Sequence, residues 1–220
     1  MTITCDVPGC WQRRHKFSRY CRPHMKKDED TGHPLGWTVR KAWLRPWQGE
    51  AARFIRDHLH HPDLERPLAH LEAILAQAKR PTVPRTDADK LHLWLSNLRE
   101  AGVSAQDVLA CVVGMYWLQE RLPERFKGDR HFRHQLAVRV LRLAPAPNHK
   151  AWDKGREYRL YQRIGVKVRE LLASVLIRTT GAAPLRIIRA IEQGHQENLL
   201  DHLITNVCRP DILQEVEDGD

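Results

Sequence analysis

Residues 104–122 read SAQDVLACVVGMYWLQERL. Val108, Leu109, Val112, Val113, Met115, Trp117 and Leu118 leave almost no polar face, so a helix here has to be enclosed by other elements. Ser104 with Asp107 three residues on is a capping-box arrangement that opens the helix, and Pro123 closes it. The segment is expected to be the central core helix of a helical bundle.

The neighbouring segments carry the same period. Upstream, Ala52, Phe54, Ile55 and Leu59 mark a helix over Gly49–His60. Leu68, Leu71, Ile74, Leu75 and Ala78 mark another over Leu64–Lys79. Pro81 and Pro84 break the chain, and Thr86 is an N-cap for a helix carrying Leu91, Leu95 and Leu98 and ending at Gly102. Downstream, Phe132, Leu136, Val140 and Leu143 place a helix over Asp129–Leu143. The run APAPNHK at 144–150 is the clearest internal break. Beyond it, Tyr161, Ile164, Val168, Leu171 and Val175 predict a long helix over Trp152–Arg178, with Arg156, Arg159, Arg163 and Lys167 as a basic stripe beside the apolar one. Short helices over Leu185–Gln193 and Asn198–Val207 follow, separated by Gly194, an arrangement that admits a helix-turn-helix. The expected fold is mostly α, a helical bundle with a small N-terminal zinc finger, divided as 1–36 zinc finger, 37–148 helical domain and 149–220 C-terminal helical region with an acidic tail.

The finger rests on Cys5–His24, CDVPGCWQRRHKFSRYCRPH. Cys5, Cys10, Cys21 and His24 form two short pairs joined by a ten-residue loop, a spacing and donor set suited to tetrahedral Zn²⁺. Pro8-Gly9 supplies the reversal between the first two cysteines. Cys21 and His24, three apart, share one face of a helix whose first turn tolerates Pro23. His15 and His33 are alternative fourth ligands, although neither forms a short pair with a cysteine. Four protein ligands leave no open position, so the zinc is read as structural. Arg13, Arg14, Lys16 and Arg19 then make the loop basic. Just beyond, Trp37, Trp43 and Trp47 alternate with Arg40, Lys41 and Arg45, a pattern that serves either to dock the finger on the body or to stack bases and pair phosphates.

Cys-x4-Cys, a basic loop, Cys-x2-His, a basic helix and the Gly32-His33-Pro34-Leu35 exit together resemble a small zinc-binding module of phage and mobile-element proteins, often found beside HNH-type homing endonuclease domains. The resemblance covers about residues 1–36. It implies that Cys5, Cys10, Cys21 and His24 are the zinc ligands and that the setting is a phage, plasmid or other mobile element. The acidic run Asp28-Glu29-Asp30 departs from the module's basic helix, and no HNH pattern is recognisable downstream.

The formal charge of +9 is unevenly placed. Residues 1–47 hold ten Lys/Arg against four Asp/Glu, and residues 150–189 hold ten against three. Residues 192–220 hold one against eight. Two basic blocks with an acidic tail point to a polyanionic partner. Cys111 and Cys208 lie in apolar patterns and are expected to be core thiols. No apolar run has the length of a membrane span and no signal pattern opens the chain, so a cytoplasmic location is expected. The P-loop, the Gly-x-Ser-x-Gly elbow and His-Glu-x-x-His are not in the sequence. The expected function is non-enzymatic, zinc-dependent nucleic-acid binding, with DNA favoured over RNA. Its contacts would come from the finger loop, from Arg40 and Lys41, and from the later basic stripe. Two other readings remain: a subunit of a larger nucleoprotein complex whose helices bind protein, and a metal-dependent nuclease using His58, His60 and His61 or Asp129, His131 and His134.

Overall fold

Helix α5, Ala105–Arg121, is the axis about which the other helices pack, and Leu109, Cys111, Val112, Val113 and Met115 on it have no exposed surface. The structure, a computed structural model, describes residues 3–81, 84–144, 150–153, 156–159 and 165–207. For residues 150–153, 156–159 and 197–207 it describes the backbone alone.

Among the described residues there are eight helices. After α1 (Arg22–Thr31) come α2 (Lys41–Asp57), α3 (Pro62–Gln77) and α4 (Asp87–Glu100), then α5, a 3-10 turn (Pro123–Arg125) and α6 (Asp129–Leu141). A two-stranded antiparallel hairpin, β1 (Lys150–Asp153) with β2 (Arg156–Arg159), precedes α7 (Val166–Thr180) and α8 (Ala183–Val207). Helix α5 packs most extensively against α2, and also against α3, α6 and α8; α7 packs on α6 and α4. One continuous apolar core runs through these helices, from Val39 to Ile191. Each Leu, Ile or Val buried in it is worth roughly 1.5–3 kcal/mol. A side chain at Gly114 would meet the backbone of Gln48 at 2.9 Å, so the glycine sets how closely α2 approaches α5.

Local chemistry fixes the helix starts. The Thr86 and Ser104 side chains each accept from the backbone N–H three residues on, and Asp89 and Asp107 return the bond, so both capping boxes form. At α3, His61 Nδ1 accepts from Asp63 N.

Three expectations are corrected. Helix α2 begins at Lys41 and not at Gly49, because neither Pro46 nor Gly49 stops it. Pro46 forfeits one backbone bond, and Leu44, Ala51 and Ile55 on the same helix are buried. The helix expected from Trp152 begins at Val166. Arg156 and Arg159 lie on strand β2, where the repeat is two and a spacing of three does not make a stripe. Of that predicted basic surface, only Lys167 is on a helix, and Arg163 lies outside the described residues. Finally, α8 runs through Gly194 without a break, so the Leu185–Gln193 and Asn198–Val207 segments are one helix and not two arms of a helix-turn-helix. A mid-helix glycine costs about 1 kcal/mol, which does not prohibit helix. No single helix is long and apolar enough to cross a membrane.

Candidate metal centre

The Sγ atoms of Cys5, Cys10 and Cys21 and a ring nitrogen of His24 all lie within 4.8 Å of one another, which is what the sequence spacing predicts. Three of the edges are resolved further. Cys10 Sγ is 3.8 Å from Cys21 Sγ, and His24 Nδ1 is 3.5 Å from Cys5 Sγ and 3.2 Å from Cys21 Sγ. Bonds of about 2.3 Å to sulfur and 2.0–2.1 Å to nitrogen give tetrahedron edges of roughly 3.5–3.8 Å, so the cage has the size of a tetrahedral metal site. Neither alternative ligand, His15 nor His33, belongs to the cluster. His33 Nδ1 instead accepts from Leu35 N at 3.1 Å.

The local folding follows from the sequence. Cys10 N donates to Val7 O at 3.0 Å across a turn with Pro8 and Gly9 at its centre. Gly9 has φ +75°, a conformation that favours glycine. An antiparallel bridge joins Thr4 to Arg13, and a second turn closes where Ser18 N donates to His15 O at 2.9 Å. Cys21 is the N-cap of α1, so His24 falls one turn into the helix and faces back to it. Apart from the ligands, only Val7 and Tyr20 build the module's own cluster, and that cluster is separate from the main core. So few apolar groups cannot hold a fold without a cross-link. Burial opposes ionisation of Cys5, but hydrogen bonds from the backbone of Cys21 and Val7 and from the His24 ring lower its pKa to about 6. Burial and its two neighbouring thiols push Cys21 up, and a bound cation would favour its thiolate.

Helix α6 holds the finger to the body through polar groups. His131, His134 and Gln135 are buried at the spacing i, i+3, i+4. His131 Nδ1 accepts from Lys127 N at 3.0 Å, so the ring proton is on Nε2, which donates to Trp37 O at 2.8 Å. Gln135 receives Val39 N at 2.9 Å and donates to Thr31 O at 3.1 Å. His134 Nε2 lies 3.1 Å from Asp30 O and 2.6 Å from the guanidinium of Arg169, which itself donates to Glu29 O at 2.8 Å. The carbonyls that α1 leaves unpaired at its C-terminus are therefore met from α6 and α7. Asp28, with Arg130 at 2.9 Å, adds an ion pair that Arg130 extends to Glu170 at 3.5 Å. Burial, then the Arg169 charge, pushes His134 down to about 4, and burial also lowers His131, so both rings are neutral. At Gly32, φ is +86° and an added Cβ would sit 2.6 Å from His134 Cβ, so only glycine permits this approach.

These contacts account for two features of the sequence. Within the acidic run, Asp28 pairs with Arg130 of the body, while Glu29 and Asp30 offer their carbonyls to Arg169 and His134 and keep exposed side chains. Asp129, His131 and His134 do not converge as ligands: Asp129 pairs with Arg133 at 3.5 Å, and both nitrogens of His131 are taken. His58 Nδ1 bonds Phe54 O at 2.9 Å, His60 is exposed and His61 caps α3, so that trio is not a metal site either. Sequence reasoning missed the docking role of His131, His134 and Gln135. The signal was a polar stripe at helical spacing within an otherwise apolar helix face.

The basic residues separate by environment. Arg13, Lys16 and Arg19 are exposed on the finger loop, Arg19 with its guanidinium 5.7 Å over Tyr20. Arg14 is engaged within the finger, donating to Thr4 O at 2.8 Å and pairing with Asp6. Arg40 and Arg125 cover the Trp43 ring, at 5.4 and 4.9 Å, so that ring is not free for a base. Lys41 is exposed at the start of α2, and Trp47 packs on Trp117 at 5.1 Å. A cleft of about 430 Å³ between α3 and the α7–α8 turn gathers Arg66, Arg178 and Arg186, a basic surface that periodicity did not reveal. Cys111 is fully buried, its pKa pushed up to about 12, and Cys208 lies outside the described residues.

No protein-family model matches the chain, and no curated protein or solved structure does.

Proposed function

We propose that this chain is a non-enzymatic nucleic-acid-binding protein whose finger is held by a structural zinc ion. The donor set supports zinc: three thiolates and an imidazole suit a borderline-soft, tetrahedral cation, and a set closed by four protein ligands offers no position to a substrate. The ion's contribution is to cross-link a module with almost no core of its own.

One observation carries the nucleic-acid reading. The metal fixes a loop, Trp11–Tyr20, whose cations Arg13, Lys16 and Arg19 project into solvent, while Asp28, the first of the acidic run that follows, is paired with Arg130 of the body. The loop thus presents positive charge outward, which is what phosphates would meet. The resemblance to phage and mobile-element zinc modules agrees with this reading and supplies its setting. The test is titration of labelled strands and duplexes with the full chain at low salt, before and after metal removal with a chelator. Binding that is lost with the metal is the expected result. No binding of either nucleic acid would overturn the reading.

A further inference from the structure

We propose that the finger loop takes single-stranded nucleic acid in preference to duplex, stacking unpaired bases on Trp11 and Phe17. This rests on the nucleic-acid reading above and names the substrate class of the same site.

Seven large apolar side chains are exposed among the described residues, and five of them, Ile3, Trp11, Phe17, Leu35 and Trp37, lie within the first 37 positions. Trp11 is 90 % exposed and Phe17 fully so. Neither contributes to the finger's own cluster, which is built from the cysteines, Val7 and Tyr20. Single exposed apolar residues are ordinary, but here two bare aromatic rings six positions apart stand on one short loop among exposed cations. Phe17 stands on the His15–Ser18 turn, held out by Lys16 at φ +47°, an uncommon conformation for a residue with a Cβ. Beside it is an open concavity lined by Ile3, Arg13, Lys16 and Phe17 among others, with an aromatic lip and a basic wall.

Charge selects the occupant. Rings flanked by Arg13, Lys16 and Arg19 suit a polyanion that also offers flat apolar faces. A duplex hides its base faces in its own stack and would present only phosphates and sugars to these rings. An unpaired strand presents both phosphates and faces. Of the tryptophans that follow the finger, Trp43 lies under two guanidinium groups, Trp47 is packed on Trp117, and Trp37 is half exposed with the Lys27 ammonium 5.2 Å from its ring.

The experiment measures binding of the full chain to a labelled strand of about 12 nucleotides and to the matching duplex, with anionic phospholipid vesicles as a third arm. The variants are Trp11→Ala, Phe17→Ala and Phe17→Tyr, each checked for metal content. The wild type is expected to prefer the strand. Each alanine variant should weaken strand binding by about fivefold or more, the low end for one lost base stack, and leave duplex binding within about twofold, while Phe17→Tyr retains it. Equal affinity for strand and duplex, or alanine variants with unaltered strand binding, would overturn this inference while leaving nucleic-acid binding in place. Vesicle binding lost in Phe17→Ala, with no nucleic acid bound, would overturn both.

Discussion

The Nε2 of His131 lies 2.8 Å from the carbonyl oxygen of Trp37, and its other ring nitrogen is filled by the N–H of Lys127. One neutral imidazole therefore joins the start of α6 to the segment that leaves the finger. His131→Leu would fill similar space but leave the part-buried Lys127 N–H and Trp37 carbonyl without their partner, at about 1 kcal/mol each. Denaturant unfolding should show a loss of that order, and metal content should stay unchanged. A drop in bound metal with little change in stability would instead make His131 a ligand.

Gly32→Ala tests the same docking from the other side. An alanine there is placed at φ +86° and meets His134 Cβ at 2.6 Å. Both effects act together, and the loss should exceed the roughly 1 kcal/mol of a left-handed alanine alone. Hydrogen exchange at residues 31–39 should accelerate before that of α5. Unaltered exchange there would show that the finger does not need this close approach.

Acid should loosen the docking. Both His131 and His134 have folded pKa values below the unfolded value, His134 at about 4. The unfolded chain then binds more protons in the interval, so their stabilisation is complete above about pH 6.5 and is lost as pH falls towards about 4. The denaturation midpoint of the metal-loaded protein should fall between pH 7 and pH 5, and fall less in His134→Asn. Equal falls in both proteins would assign the pH dependence to other groups.

Cys10→Ser and Cys21→Ser should each abolish stoichiometric metal binding while the far-ultraviolet circular dichroism of the helical body persists, because the finger's small cluster is separate from the main core. Metal retained in both variants would remove Cys10 and Cys21 from the ligand set.

Much of this was legible in the sequence because it is local. The two capping boxes depend on residues three apart, and the metal cage on pairs no more than five positions apart closed by one loop. The α5 axis was readable because its apolar residues leave no polar face. What was not legible depends on partners far along the chain. His131, His134 and Gln135 meet residues some hundred positions earlier, so their spacing alone reads equally as a metal motif or a polar face. The pairing of β1 with β2 was lost in an apolar spacing that continues across both, although Gly155 in the intervening sequence is a turn signal. Pro46 was not read as helical, Gly49 was read as a helix start and Gly194 as a helix end. The buried contacts of α2 outweigh the cost of the first two, and α8 continues through the third.

The most direct measurement is the salt dependence of nucleic-acid affinity for the wild type and for Arg13→Ala/Lys16→Ala/Arg19→Ala. Each phosphate contact adds about 0.7 to the logarithmic slope for a strand and about 0.9 for a duplex. If the metal-held loop is the phosphate-binding surface, the slope should be shallower in the triple variant by roughly two to three units, with metal content intact. An unchanged slope would mean that the finger faces something other than phosphate, and would contradict the account.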